Sequence, residues 1–339
     1  MTPLALVTGA AGFIGSHLSE ELVRKGFSVL GIDNLSVGRS QNLSALNGES
    51  FRLLEADVSV LSPKDLPISL DSITHIFHLG ALADIVPSIK SPSEYFEANV
   101  QGTLNILEIA RRTKIKKFVY AASSSCYGIP SKYPTPELTA VSPEYPYALT
   151  KYLGEELVLH WGKVYDLPVL SLRLFNVFGP RARTSGTYGA VFGVFLAQKR
   201  AGKPLTVVGD GSQTRDFTYV ADVVDAFILA AKSDVQNEVF NVGSGGTYSV
   251  NQLVTLIGGD TVRIPKRPGE PNCTFADITK ISNLLGWRPK VSFEEGVKKM
   301  LEDLESWQDA PVWTPETIEK ETEQWFRYLS RSDIKNNDE

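Results

Sequence analysis

The sequence predicts an α/β fold built on a parallel, doubly wound sheet, and two observations support this prediction. Over roughly the first 175 residues, short apolar runs of strand length alternate with longer stretches of helical periodicity. The first apolar run is followed at once by a glycine-rich turn, TGAAGFIG at 8–15, which leads into an amphipathic stretch. Because crossover helices join parallel strands, ligands of such a sheet bind beyond the carboxyl ends of its strands.

The individual strands and helices follow from this alternation in chain order. The apolar runs predicted to be strands are residues 4–7, 28–32, 51–54, 73–79, 117–122 and 169–174. The stretches predicted to be helices are residues 13–25, 94–113 and 145–166. Beyond residue 176 the pattern is less regular, and its glycine- and proline-containing loops include one candidate returning strand at 239–242.

The glycine-rich turn is predicted to bind the pyrophosphate of a dinucleotide. Gly9 permits a tight turn, Gly12 lets backbone N–H groups approach an anion, and Gly15 lets the helix pack closely against the strand. The N-terminus of that helix adds unpaired N–H donors and the positive end of its dipole. Asp33 ends the second strand, where a carboxylate meets the adenosine ribose of NAD. The acid favours NAD over NADP, although Arg39 lies nearby and could accept a 2′-phosphate.

These observations predict two lobes with a cleft between them, an arrangement that suits an enzyme. Residues 1–175 are expected to form an NAD-binding domain of the Rossmann type, to which a segment near 216–245 returns. Residues 176–330 are expected to form mainly a smaller α/β lobe that binds the substrate, and residues 331–339 a polar tail.

Apolar residues near the C-terminus predict a helix that docks on the protein by one face. They are Trp313, Ile318, Trp325, Phe326 and Leu329. A stripe that binds a partner protein is the alternative interpretation, and the last residues are expected to be disordered.

Composition excludes several classes of function. The chain of 339 residues is 42% hydrophobic and 22% charged, with a net charge of -5, as in an ordinary globular protein. No block of like charge predicts a nucleic acid or an anionic membrane surface as a partner.

No apolar run approaches the roughly 18 residues that cross a bilayer, and no signal-type segment precedes the first strand. Cys126 and Cys273 show no paired spacing, so we predict neither a metal site nor a disulfide framework, and we expect a cytoplasmic protein.

A candidate catalytic group lies where the fifth strand ends and the next helix begins. Tyr147 and Lys151 are four residues apart, which places them one turn apart on the same face of a helix. A nearby ammonium group favours the phenolate, so we expect Lys151 to lower the pKa of Tyr147 toward neutral pH. This spacing alone is common on helix surfaces, but here Ser123 precedes it within one connection and the dinucleotide turn is present. Together these groups could remove a proton from an alcohol while hydride leaves its carbon.

With these residues in place, the chain resembles the extended short-chain dehydrogenases/reductases, and among them the nucleotide-sugar epimerases that act on UDP-glucose and UDP-N-acetylglucosamine. The resemblance covers nearly the whole chain, and its motifs are TGAAGFIG (8–15), DNL (33–35), ASSSCYG (122–128), PYALTK (146–151), LRLFNVFGP (172–180), GDGSQTRDF (209–217) and RPGE (267–270). It implies that Ser123 is the active-site hydroxyl, that Tyr147 is the base, and that Lys151 holds the ribose. It also implies a homodimer formed through the helices that follow strands four and five.

The resemblance further implies contacts to the cofactor and to the substrate. The residues predicted to bind NAD are Gly9, Gly12, Phe13, Ile14, Gly15, Asp33, Asn34, Ser36, Gly38, Arg39, Asp57, Val58, Leu79, Gly80, Ala81, Asn99, Tyr147 and Lys151. The residues predicted to bind a nucleotide sugar are Ala83, Ser123, Ser124, Ser125, Asn176, Ala190, Val191, Val207, Arg215, Arg267, Glu270 and Thr274. Among them, Asn176 and Arg215 would hold the diphosphate. Residues 190–191 and 207–208 would line the nucleobase pocket, and Arg267 with Glu270 would hold phosphate and ribose.

The same comparison favours epimerisation over elimination. Dehydratases and decarboxylases of sugar nucleotides carry acidic residues just after the active-site hydroxyl, whereas this chain has Ser124 and Ser125 there. We therefore predict that C4 of a nucleotide-diphosphate sugar is oxidised to a transient 4-keto group and then reduced from the opposite face, with NAD regenerated in each turnover. Three alternatives stay open: a uronic-acid epimerase, a dehydratase and a reductase. A non-catalytic NAD-sensing regulator is a fourth, and the intact Tyr147 and Lys151 argue against it.

The predicted sugar depends on one position. In the family the residue at Thr274 gates the sugar pocket, and a small gate leaves room for a 2-acetamido group. UDP-GlcNAc and UDP-GalNAc are therefore the predicted substrates, with UDP-glucose and UDP-galactose as further candidates, although some uronic-acid epimerases share a threonine gate. Leu174 stands where many hexose epimerases have tyrosine, and Asp84 adds an acid to the loop after strand four. Asp84 either favours an unusual hydroxyl or amine on the sugar or is a solvated loop residue.

Overall fold

A computed structural model describes residues 2–46, 48–182 and 189–335 of the chain, with side chains described as far as residue 330. Within these ranges the strands are β1 (Leu4–Thr8), β2 (Ser28–Asp33), β3 (Phe51–Glu55), β4 (Ile73–His78), β5 (Lys117–Ser123), β6 (Val169–Leu174), β7 (Val177–Phe178), β8 (Leu205–Val208), β9 (Thr214–Arg215), β10 (Thr218–Tyr219), β11 (Glu238–Val242), β12 (Tyr248–Ser249) and β13 (Thr261–Ile264). The α-helices are α1 (Phe13–Arg24), α2 (Ile85–Lys90), α3 (Pro92–Phe96), α4 (Gly102–Ala110), α5 (Pro146–Tyr165), α6 (Val191–Arg200), α7 (Val220–Lys232), α8 (Val250–Ile257), α9 (Thr279–Leu285), α10 (Phe293–Glu302) and α11 (Pro315–Lys335).

One seven-stranded sheet runs through the centre of the molecule in the order β11-β6-β5-β4-β1-β2-β3, and every neighbouring pair is parallel. This sheet confirms the predicted α/β fold. The six strands predicted in the first half correspond to β1 through β6, with ends that differ by at most one residue. The predicted returning strand corresponds to β11, which pairs with β6 at the edge of the sheet. The strand order reverses between β1 and β4, which is where open α/β sheets bind their ligands.

Both faces of the sheet are covered by helices, and β5 shows how its residues divide between them. Phe118 and Tyr120 pack in the layer of α4 and α5, whereas Val119 and Ala121 pack in the layer of α1 and α7. Successive side chains of a strand point to opposite faces, so a strand that is covered on both sides is apolar at every position. This is why the central strands are visible in the sequence as continuous apolar runs.

The predicted single helix over residues 94–113 is wrong in detail. The structure divides this stretch into α3, a π-helical turn at Glu97–Gln101, and α4. Asn99 lies in that turn, where its amide accepts from Leu82 N at 2.8 Å and donates to Leu82 O at 3.0 Å. A π-helical turn adds one residue to a helix and changes which side chains face inward. Apolar periodicity does not reveal such an insertion.

Apart from α7, α9 and β11, which belong to the large sheet and its helical layer, the chain beyond β6 packs around a separate aromatic cluster, and this part is the smaller lobe. Phe178, Phe192 and Phe293 stack or meet edge to face, with ring centroids 4.4 to 6.4 Å apart. The C-terminal helix α11 packs on this cluster through Ile318 and Trp325, which are each 3% exposed. The predicted docking of a C-terminal helix is therefore confirmed. The polar tail predicted at 331–339 begins inside α11, which extends to Lys335, and residues 336–339 lie outside the described ranges. Over those ranges, no helix combines the length and the hydropathy needed to cross a bilayer.

Candidate active site

A cavity of about 670 Å³ opens at the carboxyl ends of the parallel strands and extends into the smaller lobe. Most of the residues predicted to bind ligands lie on its wall. They are Gly9, Gly12, Phe13, Ile14, Gly15, Asp33, Asn34, Ser36, Gly38, Arg39, Asp57, Val58, Leu79, Gly80, Ala81, Ala83, Ser123, Ser124, Ser125, Tyr147, Lys151, Asn176, Ala190, Val191, Arg215, Arg267, Glu270 and Thr274. Residues from both ends of the sequence thus meet around one space.

Two predicted residues do not line this cavity. Val207 is 3% exposed and packs in the aliphatic and aromatic core of the smaller lobe, so it cannot reach a ligand directly. Asn99 is 1% exposed, and its side-chain amide forms hydrogen bonds with the backbone of Leu82, in the loop that follows β4. Asn99 therefore supports the cavity wall from behind, in place of the predicted contact to NAD.

The glycine-rich turn leaves room for a ligand because three of its positions are glycines. Gly9 has φ of +68°, in the left-handed region that favours glycine. A Cβ atom at Gly15 would lie 2.0 Å from Gly9 O, so only glycine lets α1 approach β1 this closely. The first turn of α1 begins at Phe13 and directs its N-terminal N–H groups to the same end of the sheet as the cavity. This geometry fits the pyrophosphate of a dinucleotide.

Asp33, at the end of β2, is held by the backbone of the surrounding turns. Its Oδ2 accepts from Ala11 N and its Oδ1 from Leu35 N, each at 2.9 Å. Burial raises the pKa of the Asp33 carboxyl, and these N–H groups oppose the rise. Gly38 packs so closely that a Cβ atom there would lie 2.6 Å from Asp33 Oδ1. A fixed carboxylate beside the glycine turn suits the adenosine ribose of NAD.

Behind the cavity lies a buried hydrogen-bond network that the sequence interpretation missed. Thr8 Oγ1 accepts from Leu79 N at 3.1 Å and from Gly80 N at 2.9 Å, so its hydroxyl donates to His78 Nδ1, 2.7 Å away. Burial lowers the pKa of His78 to about 3, so the ring is neutral. Its proton is then on Nε2, which donates to Thr103 Oγ1 at 3.0 Å. The network fixes the loop after β4 against β1.

Ser123 and Tyr147 meet at the end of the cavity nearest β5. β5 ends at Ser123, whose Oγ lies 2.7 Å from Ser125 Oγ, and α5 begins at Pro146, so that Tyr147 occupies its first turn. Burial raises the pKa of Tyr147, the nearby Ser123 hydroxyl opposes the rise, and the carboxylate of Asp84 adds to it. The pair can pass a proton to or from a hydroxyl placed between them.

Lys151 lies one helical turn beyond Tyr147 and lines the same cavity. It is 5% exposed, and its Nζ lies 4.3 Å from the centroid of the Tyr120 ring. Burial lowers the pKa of Lys151 to about 7, and Glu155 opposes this shift. The pKa of Tyr147 is nevertheless raised in this arrangement, because burial of the phenol outweighs the groups that lower it, and the expected effect of Lys151 on that pKa stays a prediction.

The part of the cavity wall that the smaller lobe forms carries charged groups. Arg215 Nη2 lies 2.7 Å from Glu270 Oε1, and Arg267 Nη1 lies 3.8 Å from Glu270 Oε2. Thr274 Oγ1 donates to Asn176 Oδ1 at 2.7 Å, which links the loop after β6 to the loop that follows Glu270. Two guanidinium groups that line one cavity wall can bind a diphosphate, since each presents paired N–H donors.

Several residues on the cavity wall were not predicted to bind a ligand. Among them are Glu144, Tyr145, Trp313 and Trp325. Asp84 belongs to the site and not to a solvated loop, because it lines the cavity and its charge raises the pKa of Tyr147. The position of Tyr145 two residues before Tyr147 was a sequence signal that could have identified it. Trp313 and Trp325 come from a segment with no motif, so only the fold reveals their position.

Comparison with known proteins agrees with this geometry. The family model described as the NAD dependent epimerase/dehydratase family matches residues 5–243. The UDP-glucose 4-epimerase of Mycolicibacterium smegmatis is 38% identical over 306 residues, which cover 88% of this chain and 97% of that protein.

Two solved structures are similar over almost their whole length. The UDP-N-acetylglucosamine 4-epimerase from Methanobrevibacter ruminantium M1, in complex with UDP-N-acetylmuramic acid, has a TM-score of 0.85 and 32% identity, over 90% of this chain and 99% of that chain. The UDP-glucuronic acid 4-epimerase from Bacillus cereus, in complex with UDP-glucuronic acid and NAD, has a TM-score of 0.82 and 32% identity, over 89% of this chain and 99% of that chain.

Proposed function

We propose that this chain interconverts UDP-GlcNAc and UDP-GalNAc. The chain belongs to the NAD-dependent epimerase/dehydratase family and is an NAD-dependent nucleotide-sugar 4-epimerase. UDP-glucose and UDP-galactose are proposed as further substrates. One observation carries the proposal: Ser123 and Tyr147 lie on the same cavity wall, with the Ser123 hydroxyl close enough to lower the pKa of Tyr147, and no acid follows Ser123 at positions 124 or 125.

In the proposed mechanism the protein moves one proton in each direction. Tyr147, in its phenolate form, would take the proton from O4 of the sugar as hydride leaves C4, while Ser123 would hold O4 by a hydrogen bond. Bound NAD would supply the acceptor and donor of hydride, and a turn of the 4-keto sugar in the cavity would present its opposite face for reduction. Tyr147 then gives its proton back to O4, so that the protein regains its starting state. Ser124 and Ser125 offer no acid to expel water, which supports epimerisation over dehydration.

The cofactor would be held by residues at the sheet end of the cavity. The glycine turn would bind the pyrophosphate, Asp33 the adenosine ribose, and Lys151 the ribose next to the nicotinamide. Lys151 can donate hydrogen bonds from a buried position, and its pKa of about 7 lets it change charge near neutral pH.

The proposed sugar follows from the small and the charged groups at the substrate end. Thr274 occupies little of the cavity it lines, which supports a pocket with room for a 2-acetamido group. Asp84 lines the same cavity close enough to Tyr147 to raise its pKa, so a sugar with a carboxylate at C6 would meet a like charge. These two residues favour an N-acetylhexosamine or a hexose over a uronic acid.

The first experiment follows the reaction directly by NMR. Purified protein is incubated without added NAD, in separate samples, with UDP-GlcNAc, UDP-glucose and UDP-glucuronic acid. We expect UDP-GlcNAc to form a mixture with its C4 epimer fastest, and UDP-glucuronic acid to react slowest. Accumulation of a 4-keto product would contradict epimerisation, and faster conversion of the uronic acid would contradict the proposed sugar.

The second experiment tests the base. Tyr147→Phe removes only the hydroxyl, and we expect kcat to fall at least about 100-fold because the proton of O4 loses its acceptor. Tyr152→Phe is the matched control, since Tyr152 lies on the same helix outside the cavity wall, and its kcat should change less than about twofold. Full activity of Tyr147→Phe would contradict the mechanism.

We also propose that the enzyme is a cytoplasmic homodimer joined through α5. Several apolar side chains are exposed on this helix and on the neighbouring α3. Leu149 is 46% exposed, Val164 is 53%, Tyr165 is 44%, and Phe96 on α3 is 52%. Exposed apolar side chains on two helices that pack together support a surface that a second copy covers.

A further inference from the structure

The C-terminal helix α11 and the segment before it form part of the cavity wall. Trp313 and Trp325 both line the cavity, and Trp325 also packs in the core of the smaller lobe, where it is 3% exposed. No motif in the sequence pointed to this segment as part of a site. A role for these two tryptophans in the site is therefore inferred from the structure alone.

α11 is held firmly at its beginning and along its length. Thr314 N donates to Thr317 Oγ1 at 2.8 Å, which caps the first turn. Glu321 lies 2.7 Å from Lys90 Nζ, an ion pair that joins α11 to the end of α2. Buried Ile318 anchors the same face of the helix. Trp325 is therefore presented from a fixed element, which is what a residue that positions others requires.

Trp325 contacts the two neighbouring parts of the substrate end. Its indole Nε1 donates to Pro268 O at 2.7 Å, a hydrogen bond to the residue next to Arg267. The guanidinium carbon of Arg267 lies 5.5 Å from the centroid of the indole ring, within the range of a cation–π interaction. The ring of Tyr145 lies on another side, with centroids 6.4 Å apart. Trp325 thus restrains both the backbone and the side chain at Arg267.

We propose that Trp325 is a positioning residue that holds Arg267 in place for the diphosphate of the substrate, so that α11 contributes to nucleotide affinity. This inference rests on the proposed function, because it takes the ligand to be a nucleoside diphosphate. An arginine binds phosphate oxygens well only when its planar group is already oriented, since ordering a long side chain costs entropy. The indole provides that orientation through its ring face and through its bond to Pro268.

The test measures UDP binding to the full chain by calorimetry, so that it does not depend on turnover. Trp325→Phe keeps an aromatic ring but loses the hydrogen bond to Pro268 O, and we expect its Kd for UDP to rise about threefold. Trp325→Ala should raise the Kd about tenfold. Tyr328→Ala is the control, because Tyr328 is 52% exposed on the same helix, and its Kd should stay within about twofold.

A double-mutant cycle shows whether Trp325 acts through Arg267. In an Arg267→Ala background, Trp325→Phe should change the Kd for UDP by less than about 1.5-fold, because the group that it positions is gone. A threefold effect that persists in this background would overturn the inference, and so would a Trp325→Phe protein that binds UDP as tightly as the unchanged chain.

For Trp325→Phe we further expect a raised KM for the nucleotide sugar, a kcat within about twofold of that of the unchanged chain, and an unchanged NAD content. A merely structural role would instead lower NAD content and UDP affinity together, and that result would also overturn the inference.

The same titration separates this inference from the proposed function. If the unchanged chain does not bind UDP, the proposed function fails and the role of Trp325 fails with it. If the unchanged chain binds UDP and both Trp325 variants bind it equally well, only the role of Trp325 fails. Trp325→Phe keeps most of the buried volume, so its result decides the question even where Trp325→Ala unfolds.

Discussion

Thr274 is held by its own hydrogen bonds at the substrate end of the cavity. Its hydroxyl donates to Asn176 Oδ1 at 2.7 Å and accepts from Asp216 N at 3.0 Å. These bonds fix the rotamer of a small side chain on a wall that a larger side chain would fill. The size of this residue should therefore decide which sugars fit beside Tyr147.

Thr274→Tyr should change the choice of sugar more than the overall activity. We expect kcat/KM for UDP-GlcNAc to fall at least about tenfold more than kcat/KM for UDP-glucose, because the added ring takes the space of the 2-acetamido group. Parallel assays of both substrates measure this ratio. Thr274→Ser is the control, since it keeps the hydroxyl and the small size, and its ratio should stay within about twofold. An unchanged ratio in Thr274→Tyr would contradict the proposed gate.

At the scale of single residues, the sequence predicted contacts where a local motif defines the chemistry. The glycines of the first turn and the Ser123–Tyr147 pair belong to short motifs, and the structure brings them to one cavity. It could not predict the sign of the pKa shift of Tyr147, which depends on how deeply the phenol is buried. The role of Trp325 also escaped prediction, because it depends on where α11 docks.

At the scale of elements, α5 carries the candidate base and is fixed to the sheet by a buried ion pair. Arg173 of β6 donates from Nη2 to Glu155 Oε1 at 2.6 Å, and Ser171 Oγ donates to Glu155 Oε2 at 2.7 Å. Arg173 and Glu155 are 5% and 1% exposed. Because Glu155 lies two turns beyond Tyr147 on the same helix, this pair sets the position of the base relative to β5 and β6.

Glu155→Ala should destabilise the protein strongly. It leaves the guanidinium of Arg173 buried without its counter-ion, and we expect the free energy of unfolding to fall by about 3–5 kcal/mol. Urea unfolding measures the change, and retained NAD measures its effect on the site. Glu156→Ala is the control on the same helix, because Glu156 is exposed, and it should cost less than about 0.5 kcal/mol. Equal stability of the two variants would show that the pair does not fix α5.

The strands of the large sheet could be predicted because both of their faces are buried, which leaves continuous apolar runs. The short strands outside the large sheet could not be predicted, because each is two residues long and carries no periodic pattern. They are β7, β9, β10 and β12. The break in the helix that we predicted over residues 94–113 could not be predicted for another reason. Its π-helical turn contains Asn99, whose hydrogen bonds to Leu82 join residues that are 17 positions apart, and no local pattern in the sequence reveals such a contact.

At the scale of the whole molecule, the candidate site is built from residues that lie far apart in the chain. Gly9 and Trp325 line the same cavity, although more than 300 residues separate them. The sheet brings the first half of the chain to one edge, and the smaller lobe with α11 covers that edge. The proposed substrate end of the cavity therefore depends on how the smaller lobe packs on the sheet. The proposed cofactor end lies at the edge of the sheet itself.

The surface of α5 opposite the sheet leads to a prediction about assembly. Leu149, Leu153 and Val164 recur at the spacing of a helical stripe, and Phe96 of α3 lies beside them. Light scattering coupled to size exclusion should give twice the mass of one chain. A double variant, Phe96→Glu with Val164→Glu, should shift the mass to that of a monomer, because two charges per subunit would be buried without partners. Leu284→Glu, on α9 at 51% exposed, is the matched control and should stay dimeric. A monomeric unchanged chain, or a dimer that survives both substitutions on this face, would show that the stripe is not the interface.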